Sequence, residues 1–344
     1  MKKIIIALCA GILLFSITCK KGVETASTPL QQQAKEHYLK ARRLFLTCNP
    51  DNYPEAIKEY KLALSYWDEY PEALAGLAEA ISMWRGYSLG EKDFGTAYRY
   101  AQRALRLNPN LADGYRAMAD LFRHRRDYER ALRLIETAIE LDPDNAENLY
   151  VKGSALIAIN PQEAARVLIQ AQKLNPELPK IYFNLASAAH KMGEYDRAIE
   201  ILKKYQSMVP SDVATYCSMG MVYLSKKDKE TDPKKKEQYL NQAMELFKKT
   251  YALSDTKNKP WQISWALLSL KTLAKIELDR KNYQIALDWL KKAENVYNKD
   301  YEIYYIYGVI YKKLGKKSLA KKNLQKALEL NPDAEEVKKE LEGL

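Results

Sequence analysis

Residues 112–145 read ADGYRAMADLFRHRRDYERALRLIETAIELDPDN, and this stretch decides the fold. Its second half places Ala131, Ile135 and Ala138 at helical intervals, with Pro143 five residues later. Residues three and four positions apart lie on one face of an α-helix, and a helix rarely continues into a proline. The first half has similar spacing. We therefore expect two short helices, joined by a turn, that pack against each other.

The same spacing recurs along the chain. Pro109, Pro143, Pro176 and Pro210 follow one another at intervals of 34, 33 and 34 residues. One helix pair cannot bury its apolar face alone, so repeated pairs are expected to stack on one another. An alanine marks the second helix of every repeat. These alanines are Ala56, Ala97, Ala131, Ala164, Ala198, Ala243, Ala286 and Ala320.

The repeat resembles the tetratricopeptide repeat, a helix–turn–helix unit of 34 residues. In that family the first helix carries large or aromatic residues around a Gly or Ala. Such sets here are Tyr115, Met118, Ala119 and Phe122; Tyr216, Met219, Gly220 and Tyr223; and Tyr304, Tyr307, Gly308 and Tyr311. The resemblance implies an all-α fold, a tetratricopeptide-type α-solenoid in which the repeats form a right-handed superhelix.

About eight units and a C-terminal cap account for most of the chain. Gly193 and Gly315 lie in turns between paired helices, where a positive φ is often needed. The last ten residues, 335–344, are predicted to form a capping helix. The predicted units span 34–70, 71–111, 112–145, 146–178, 179–212, 213–257, 267–300 and 301–334.

Insertions interrupt the regular spacing at three places, and we expect them to form loops that modify the binding face. They lie at Cys48–Asp51, Trp84–Asp93 and Lys226–Lys236, while residues 258–266 extend the first helix of the seventh unit backward. The aromatic stretch Trp84–Tyr87 either packs on the array or contacts a partner. The basic run Lys226–Lys236 predicts a solvated loop, with anionic lipid headgroups or an acidic partner as the alternative.

The N-terminus has the layout of an export signal. Lys2 and Lys3 precede an uncharged run from Ile4 to Cys19. That run is shorter than the about 20 apolar residues that a membrane-spanning helix needs. Charge returns immediately afterwards. The pattern predicts a signal peptide of the lipoprotein type over residues 1–18.

Ser16-Ile17-Thr18-Cys19 resembles the lipobox of bacterial lipoproteins, in which small residues precede a cysteine that is lipidated and becomes the new N-terminus. It departs from the usual pattern, which has Leu at the place of Ser16 and Gly or Ala at the place of Thr18. The resemblance implies lipidation of Cys19, with residues 19–33 as lipid anchor and polar tether. Ordinary cleavage near Ala26 and an uncleaved anchor are the alternatives.

Charge and export together narrow the location and the partners. The formal net charge of +11 falls to +9 without Lys2 and Lys3, and the excess is spread over helix surfaces. Export makes nucleic acid an improbable partner. We expect the protein in the bacterial cell envelope, facing the periplasm or the exterior. Lys20, in place of the Asp linked to inner-membrane retention, favours the outer membrane. The sequence leaves the oligomeric state open.

The residues offer no catalytic site. No phosphate-binding Gly-rich loop, nucleophile elbow or zinc-ligand spacing occurs in the sequence. His37, His124 and His190 fall in different units, and so do Cys48 and Cys217, which we expect to lie too far apart for a disulfide. We expect a protein that is not an enzyme and has no cofactor and no metal.

A concave groove lined by the first helices is the expected binding site, because tetratricopeptide arrays commonly hold a peptide or helix there. The alternative is that these side chains only complete packing between units. The Lys/Asn/Arg clamp of chaperone-docking repeats is missing. The predicted groove residues are Arg116, Asp120, Arg123, Tyr150, Ser154, Phe183, Asn184, Ser187, Cys217 and Met221.

Two functions from different classes fit these features. The first is a lipid-anchored protein–protein interaction scaffold of the cell envelope, with a partner segment in the groove. The second is a transport-accessory lipoprotein that binds a small apolar ligand or a solute-binding protein. An enclosed apolar cavity among the first helices would favour the second, and an open groove the first.

Overall fold

The computed structural model describes residues 27–86 and 90–344. The predicted signal peptide, Cys19 and the tether up to residue 26 lie outside the described residues, as does Tyr87 in the aromatic insertion. The described part forms 17 α-helices and contains no β-strand. The all-α solenoid expected from the repeat pattern is confirmed.

The helices follow one another as antiparallel pairs. The first four pairs are α1 (Pro29–Leu46) with α2 (Tyr53–Tyr66), α3 (Pro71–Arg85) with α4 (Glu91–Leu107), α5 (Ala112–His124) with α6 (Tyr128–Leu141), and α7 (Ala146–Leu156) with α8 (Pro161–Leu174). The next four are α9 (Pro179–Lys191) with α10 (Tyr195–Met208), α11 (Ala214–Lys229) with α12 (Pro233–Leu253), α13 (Ile263–Asp279) with α14 (Tyr283–Val296), and α15 (Tyr301–Lys313) with α16 (Lys317–Leu330). A single helix, α17 (Glu335–Glu342), packs against α16. Short 3₁₀ helices lie at Pro50–Asn52 and Pro260–Gln262.

Small residues let the two helices of a pair approach closely. All eight second-helix alanines are completely buried. A Cβ added at Gly153 would lie 2.5 Å from Leu168 Cγ, and one added at Gly308 would lie 2.5 Å from Leu324 Cγ. The two glycines occupy equivalent places in α7 and α15. Glycine is needed there because the facing leucine fills the space of a side chain.

The turns inside the pairs share one backbone conformation. Gly193 and Gly315 have φ values of +81° and +72°, as expected for their place two residues before the second helix. Arg126 and Lys281 occupy the same place in other units with φ of 61° and 62°. The turn thus imposes a left-handed residue even where the sequence supplies a side chain.

The first helix begins earlier than the sequence suggested. We expected the tether to extend to residue 33, but α1 starts at Pro29. The Thr28 side chain accepts from the Gln31 backbone, and the Gln31 side chain accepts from the Thr28 backbone N–H, at 2.9 Å. This capping box, with proline at the first helical position, starts a helix before the apolar pattern begins.

The basic insertion in the sixth unit is helical where we expected a loop. Helix α11 continues to Lys229 and α12 begins at Pro233, so only three residues separate them. Lysine and glutamate are good helix formers. Asp232 caps α12 by accepting a hydrogen bond from the Lys234 N–H at 2.8 Å. The insertion therefore lengthens both helices of the pair.

The array is curved so strongly that the turn between α1 and α2 contacts units that are distant in the sequence. Asn49 accepts a hydrogen bond from Ser211 at 3.4 Å, and Asp51 forms an ion pair with Lys259, 208 residues away. Cys48 packs in a cluster with Tyr150. Units that are remote in sequence are thus neighbours across the concave side, which nearest-neighbour stacking alone would not produce. None of the described helices has the length and apolar character to cross a membrane.

Candidate functional site

A ladder of alternating charges crosses the concave side. Arg42, Glu79, Arg116, Glu147 and Lys180 come from α1, α3, α5, α7 and α9 in turn, one residue from each first helix. We call these five residues the charge ladder. Each occupies a similar place in its repeat, at intervals of 31 to 37 residues in the sequence. The repeat geometry therefore brings side chains of opposite charge together on the concave side.

Four of the five ladder residues are buried, Arg42 is partly exposed, and their charged groups are closely paired. The Arg116 guanidinium donates to both Glu79 oxygens, at 2.6 and 3.1 Å, and to Asp113 at 2.7 Å. Arg42 forms an ion pair with Glu147, and Lys180 donates to the same carboxylate at 3.4 Å. Arg116 is only 1% exposed. Charges this well buried are stable in the fold only when they are paired and hydrogen-bonded.

A second polar cluster lies one helical turn further along α5. Asp120 accepts from Arg123 at 2.6 Å and from Ser82 at 2.8 Å. His124 Nδ1 lies 3.3 Å from Asp120 Oδ2. Although burial opposes ionisation, the Arg123 guanidinium and His124 hold the pKa of Asp120 well below its usual range. Burial and Arg123 also lower the pKa of His124, which keeps its imidazole neutral near pH 7.

The structure separates the ten predicted groove residues into two groups. Six are buried, because the first helices pack tightly and their polar groups pair with one another. They are Arg116, Asp120, Arg123, Tyr150, Ser154 and Cys217. Phe183, Asn184, Ser187 and Met221 are partly exposed. The open groove expected at these positions is narrowed to a chamber, and Arg123, Tyr150, Phe183 and Asn184 belong to its wall.

The chamber is a cavity of about 400 Å³ on the concave side. Seven tyrosine, tryptophan and phenylalanine residues line it, together with neutral polar and charged residues such as Asn184 and Asp212. The first turn of the array forms one side of it through Cys48–Asp51, opposite the start of α13. Its main aromatic side chains are Tyr53, Trp84, Tyr150, Phe183, Trp261 and Trp265.

Charged groups at the chamber wall are held by partners. Lys180 Nζ lies 4.6 Å from the centre of the Tyr150 ring and 4.9 Å from that of Phe45, besides its contact with Glu147. Asp212 accepts from the Tyr205 hydroxyl at 2.6 Å and from the Ala214 N–H at 2.9 Å. Burial raises the pKa of Asp212 in spite of these donors.

A second concavity opens between α10 and α12, with α11 as its floor. We call it the α10–α12 groove; its volume is about 820 Å³. Tyr216, Met219 and Tyr223 of α11 provide an apolar floor, and Lys203 and Lys234 stand on opposite walls. Neither lysine forms an ion pair with any residue in the described part of the chain. Gln242 also lines the groove, and its buried Oε1 has no hydrogen-bond partner.

The histidines and cysteines serve in local contacts. His37 Nδ1 lies 2.7 Å from Glu59, and His190 Nε2 lies 2.8 Å from Ser225. Cys48 and Cys217 are buried free thiols, and burial raises the pKa of Cys217 to about 11. Within residues 27–86 and 90–344, no group of three or more His, Cys, Asp or Glu is placed to hold a metal ion.

Sequence reasoning missed both the chamber and the α10–α12 groove. The charge ladder could have been found from the sequence, because its residues recur at repeat spacing with alternating sign. The curl that brings Asp51 to Lys259 has no such signal, since it depends on small rotations summed over many units. The groove follows from the lengthened sixth unit, whose helical character was mistaken for a loop.

Family models described as tetratricopeptide repeat match residues 112–145, 155–216 and 301–334. The first and last of these ranges coincide with units assigned from the spacing of alanines and prolines. The tetratricopeptide repeats are therefore confirmed.

Two curated proteins of yeasts are similar to this chain. Anaphase-promoting complex subunit 3 of Schizosaccharomyces pombe is 23% identical over 241 residues, which is 70% of this chain and 33% of that protein. Superkiller protein 3 of Saccharomyces cerevisiae is 24% identical over 138 residues, which is 40% of this chain and 9% of that protein. The chain thus spans about a third of the first relative and about a tenth of the second.

Solved structures with a similar fold cover nearly the whole chain. The Cut9–Hcn1 hetero-tetramer of the APC/C has a TM-score of 0.62 at 17% identity, with 92% of this chain and 57% of that chain covered. The human IFIT1 dimer with m7Gppp-AAAA has a TM-score of 0.63 at 17% identity, with 93% of this chain and 81% of that chain covered. Yeast Tom70 has a TM-score of 0.58 at 15% identity, with 94% of this chain and 64% of that chain covered. At these identities the similarity shows a shared solenoid fold and nothing finer.

Proposed function

We propose that this protein is a lipid-anchored interaction scaffold of the bacterial cell envelope. The tetratricopeptide repeats are consistent with a protein-binding scaffold. Anchoring rests on the lipobox-like Ser16–Cys19, and Lys20 favours the outer membrane over the inner one. In this proposal Cys19 fixes the location, the polar segment after it gives reach, and the array binds a protein partner. Nucleic acid is not expected as a partner of an exported protein.

The α10–α12 groove is the proposed binding site for the partner. It is open and lined by residues of three helices, and its floor combines two tyrosines with a methionine. Aromatic residues and methionine are enriched at protein interfaces, where a few such anchors supply most of the binding energy.

The charges in the groove define the partner's chemistry. Lys203 and Lys234 face the groove from opposite walls without ion-pair partners, whereas Glu237 is paired with Arg280 and Glu245 with Lys248. The available charge is therefore positive. A partner segment with apolar side chains for the floor and acidic side chains for the two lysines is complementary to this surface.

In-cell photocrosslinking tests the groove. We expect p-benzoylphenylalanine at Gln238, which is exposed on the groove wall, to give a protein adduct. The same group at Gln325, exposed on α16, should give none. Replacing Lys203 and Lys234 with glutamate should reduce the Gln238 adduct about tenfold, because two attractive charges become repulsive. An adduct that is unaffected by this charge reversal, or equal at both positions, contradicts the proposed site.

Metabolic labelling with radioactive palmitate tests the anchor. We expect the Cys19→Ser variant to lose the label and to leave the membrane fraction, because acyl chains contribute about 0.8 kcal/mol for each buried CH₂ group. Cys48→Ser and Cys217→Ser are matched controls, since both thiols are buried in the array and should not affect labelling. Retention of the label by Cys19→Ser would refute lipid anchoring at this residue.

A second candidate function is a transport accessory that binds a small apolar ligand or a solute-binding protein. The chamber on the concave side supports it, because a partly enclosed, aromatic cavity differs from the open groove of a peptide-binding array. The scaffold function uses the α10–α12 groove, and the transport-accessory function uses the chamber. Substitutions confined to one of these surfaces can therefore test each function separately.

A further inference from the structure

The chamber has the size and enclosure of a small-molecule site. Pockets for small ligands have volumes of about 300–1,000 Å³ and are mostly apolar, with a few polar groups that fix orientation. The chamber volume of about 400 Å³ lies in this range. The contacts of Asn49 with Ser211 and of Asp51 with Lys259 hold the first turn of the array against its rim.

The aromatic residues of the wall favour a flat, largely apolar molecule. Tryptophan, tyrosine and phenylalanine side chains from four separate parts of the chain face the same space: Tyr53, Trp84, Phe183 and the pair Trp261 and Trp265. Aromatic rings stack on other planar groups or meet them edge to face, and each such contact adds about 0.5–1.5 kcal/mol beyond the burial of area. Aromatic rings are also rigid, so little side-chain entropy is lost on binding.

The polar groups argue against a charged ligand. Lys180 is held by Glu147, Asp51 by Lys259, and Asp212 by its two donors. Arg123 and Asp120 also form an ion pair. An ionised ligand would have to leave water and compete with these internal pairs. The remaining wall cation, Arg85, pairs with Asp93 at 2.9 Å. An anionic ligand would therefore have to compete with an existing contact at Arg85, Arg123 or Lys180.

Asn184 and Tyr53 offer neutral polar groups that can orient a ligand. Asn184 donates through Nδ2 to Ser154, and its Oδ1 accepts no hydrogen bond from the residues that the structure describes. The Tyr53 hydroxyl likewise has no hydrogen bond there, and burial raises its pKa well above the usual value, so it stays a neutral donor. One acceptor and one donor at the wall suit a ligand with a donor and an acceptor of its own.

From this arrangement we infer that the chamber binds a small, uncharged, planar and mostly apolar molecule that hydrogen-bonds to Asn184 and Tyr53. This goes beyond the proposed scaffold function and is independent of the α10–α12 groove. It gives a chemical class to the ligand of the second candidate function, on whose chamber it rests.

Fluorescence titration of the full chain with N-phenyl-1-naphthylamine, an uncharged planar probe, tests the inference. We expect saturable binding at one site. The anionic probe 1-anilinonaphthalene-8-sulfonate should bind at least about tenfold more weakly, because its sulfonate finds no unpaired cation. Equal or tighter binding of the anionic probe, or no saturable binding of the neutral one, would overturn the inference.

Substitutions locate the probe. Ser264 is exposed at the second position of α13 and lines the chamber, while Ser318 is exposed at the second position of α16, away from it. Ser264→Trp should fill the chamber and weaken binding of the neutral probe at least about tenfold, and Ser318→Trp should leave it unchanged. Unchanged binding by Ser264→Trp would place the probe elsewhere and refute the site. Charge reversal at Lys203 and Lys234 should not alter probe binding. A negative result for the chamber can therefore be distinguished from a negative result for the scaffold proposal.

Discussion

The Arg116→Met variant is expected to lose about 3–5 kcal/mol of its free energy of unfolding, measured by urea denaturation. Arg116 lies at the centre of the charge ladder and is 1% exposed. Its removal leaves the Glu79 carboxylate, itself 3% exposed, without its two close donors. Arg42 Nη1 remains 3.7 Å from the carboxylate, beyond hydrogen-bond distance. A buried carboxylate that loses its hydrogen bonds cannot regain the hydration that it has in the unfolded chain, so the folded state loses free energy.

Two further variants make this prediction specific. Arg103 pairs with Asp68 at 2.8 Å on the surface, where side chains are 39% and 74% exposed, and Arg103→Met should cost less than about 1 kcal/mol. The double variant Arg116→Met with Glu79→Met should be more stable than Arg116→Met alone, because apolar residues can replace a buried ion pair. If Arg116→Met were no more harmful than Arg103→Met, the ladder would contribute little to the stability of the array.

The repeat pattern was sufficient to predict the fold because it is a local and repeated signal. The second-helix alanines Ala164 and Ala320 lie beside a glycine in the first helix of their own unit, Gly153 and Gly308. Packing of that kind is decided within about 34 residues. The structure departs from the predicted helix boundaries where other local sequence signals are stronger than the repeat pattern. The capping box at Thr28 starts α1 before the apolar pattern, and the helix-forming residues around Lys229 lengthen α11 where the extra length suggested a loop.

The candidate sites could be predicted only in part, because they depend on the curvature of the whole array. The register placed Arg116, Tyr150 and Phe183 correctly on first helices, but it could not give the distance between units on the concave side. Curvature is the sum of small rotations between neighbours, and each depends on side-chain volumes at the interface. The accumulated curvature brings Asp51 into contact with Lys259. The concave side is therefore a chamber, where the sequence predicted an open groove.

Packing in the sixth unit links the stability of the array to the α10–α12 groove. Phe247 of α12 is completely buried between α11 and α13, against Cys217 and Leu273. A Cβ added at Gly220 would lie 2.7 Å from the Phe247 ring, so the ring occupies the space that the missing side chain leaves on α11. The groove floor is the neighbouring face of α11, because Tyr216 and Tyr223 lie one helical turn before and after Gly220.

The Phe247→Ala variant is therefore expected to lose about 3–5 kcal/mol of its free energy of unfolding, because the helices cannot close fully over the cavity. Each unit of a stacked array is stabilised mainly by its neighbours, so a weak sixth unit should divide urea unfolding into two transitions. Partner crosslinking at Gln238 should fall at the same time, since the groove floor loses its support. Leu253→Ala is the control: this side chain of the same helix is 52% exposed, and its truncation should change stability by less than about 0.5 kcal/mol. A single transition shifted no more than in this control would show that the sixth unit does not couple the two halves of the array.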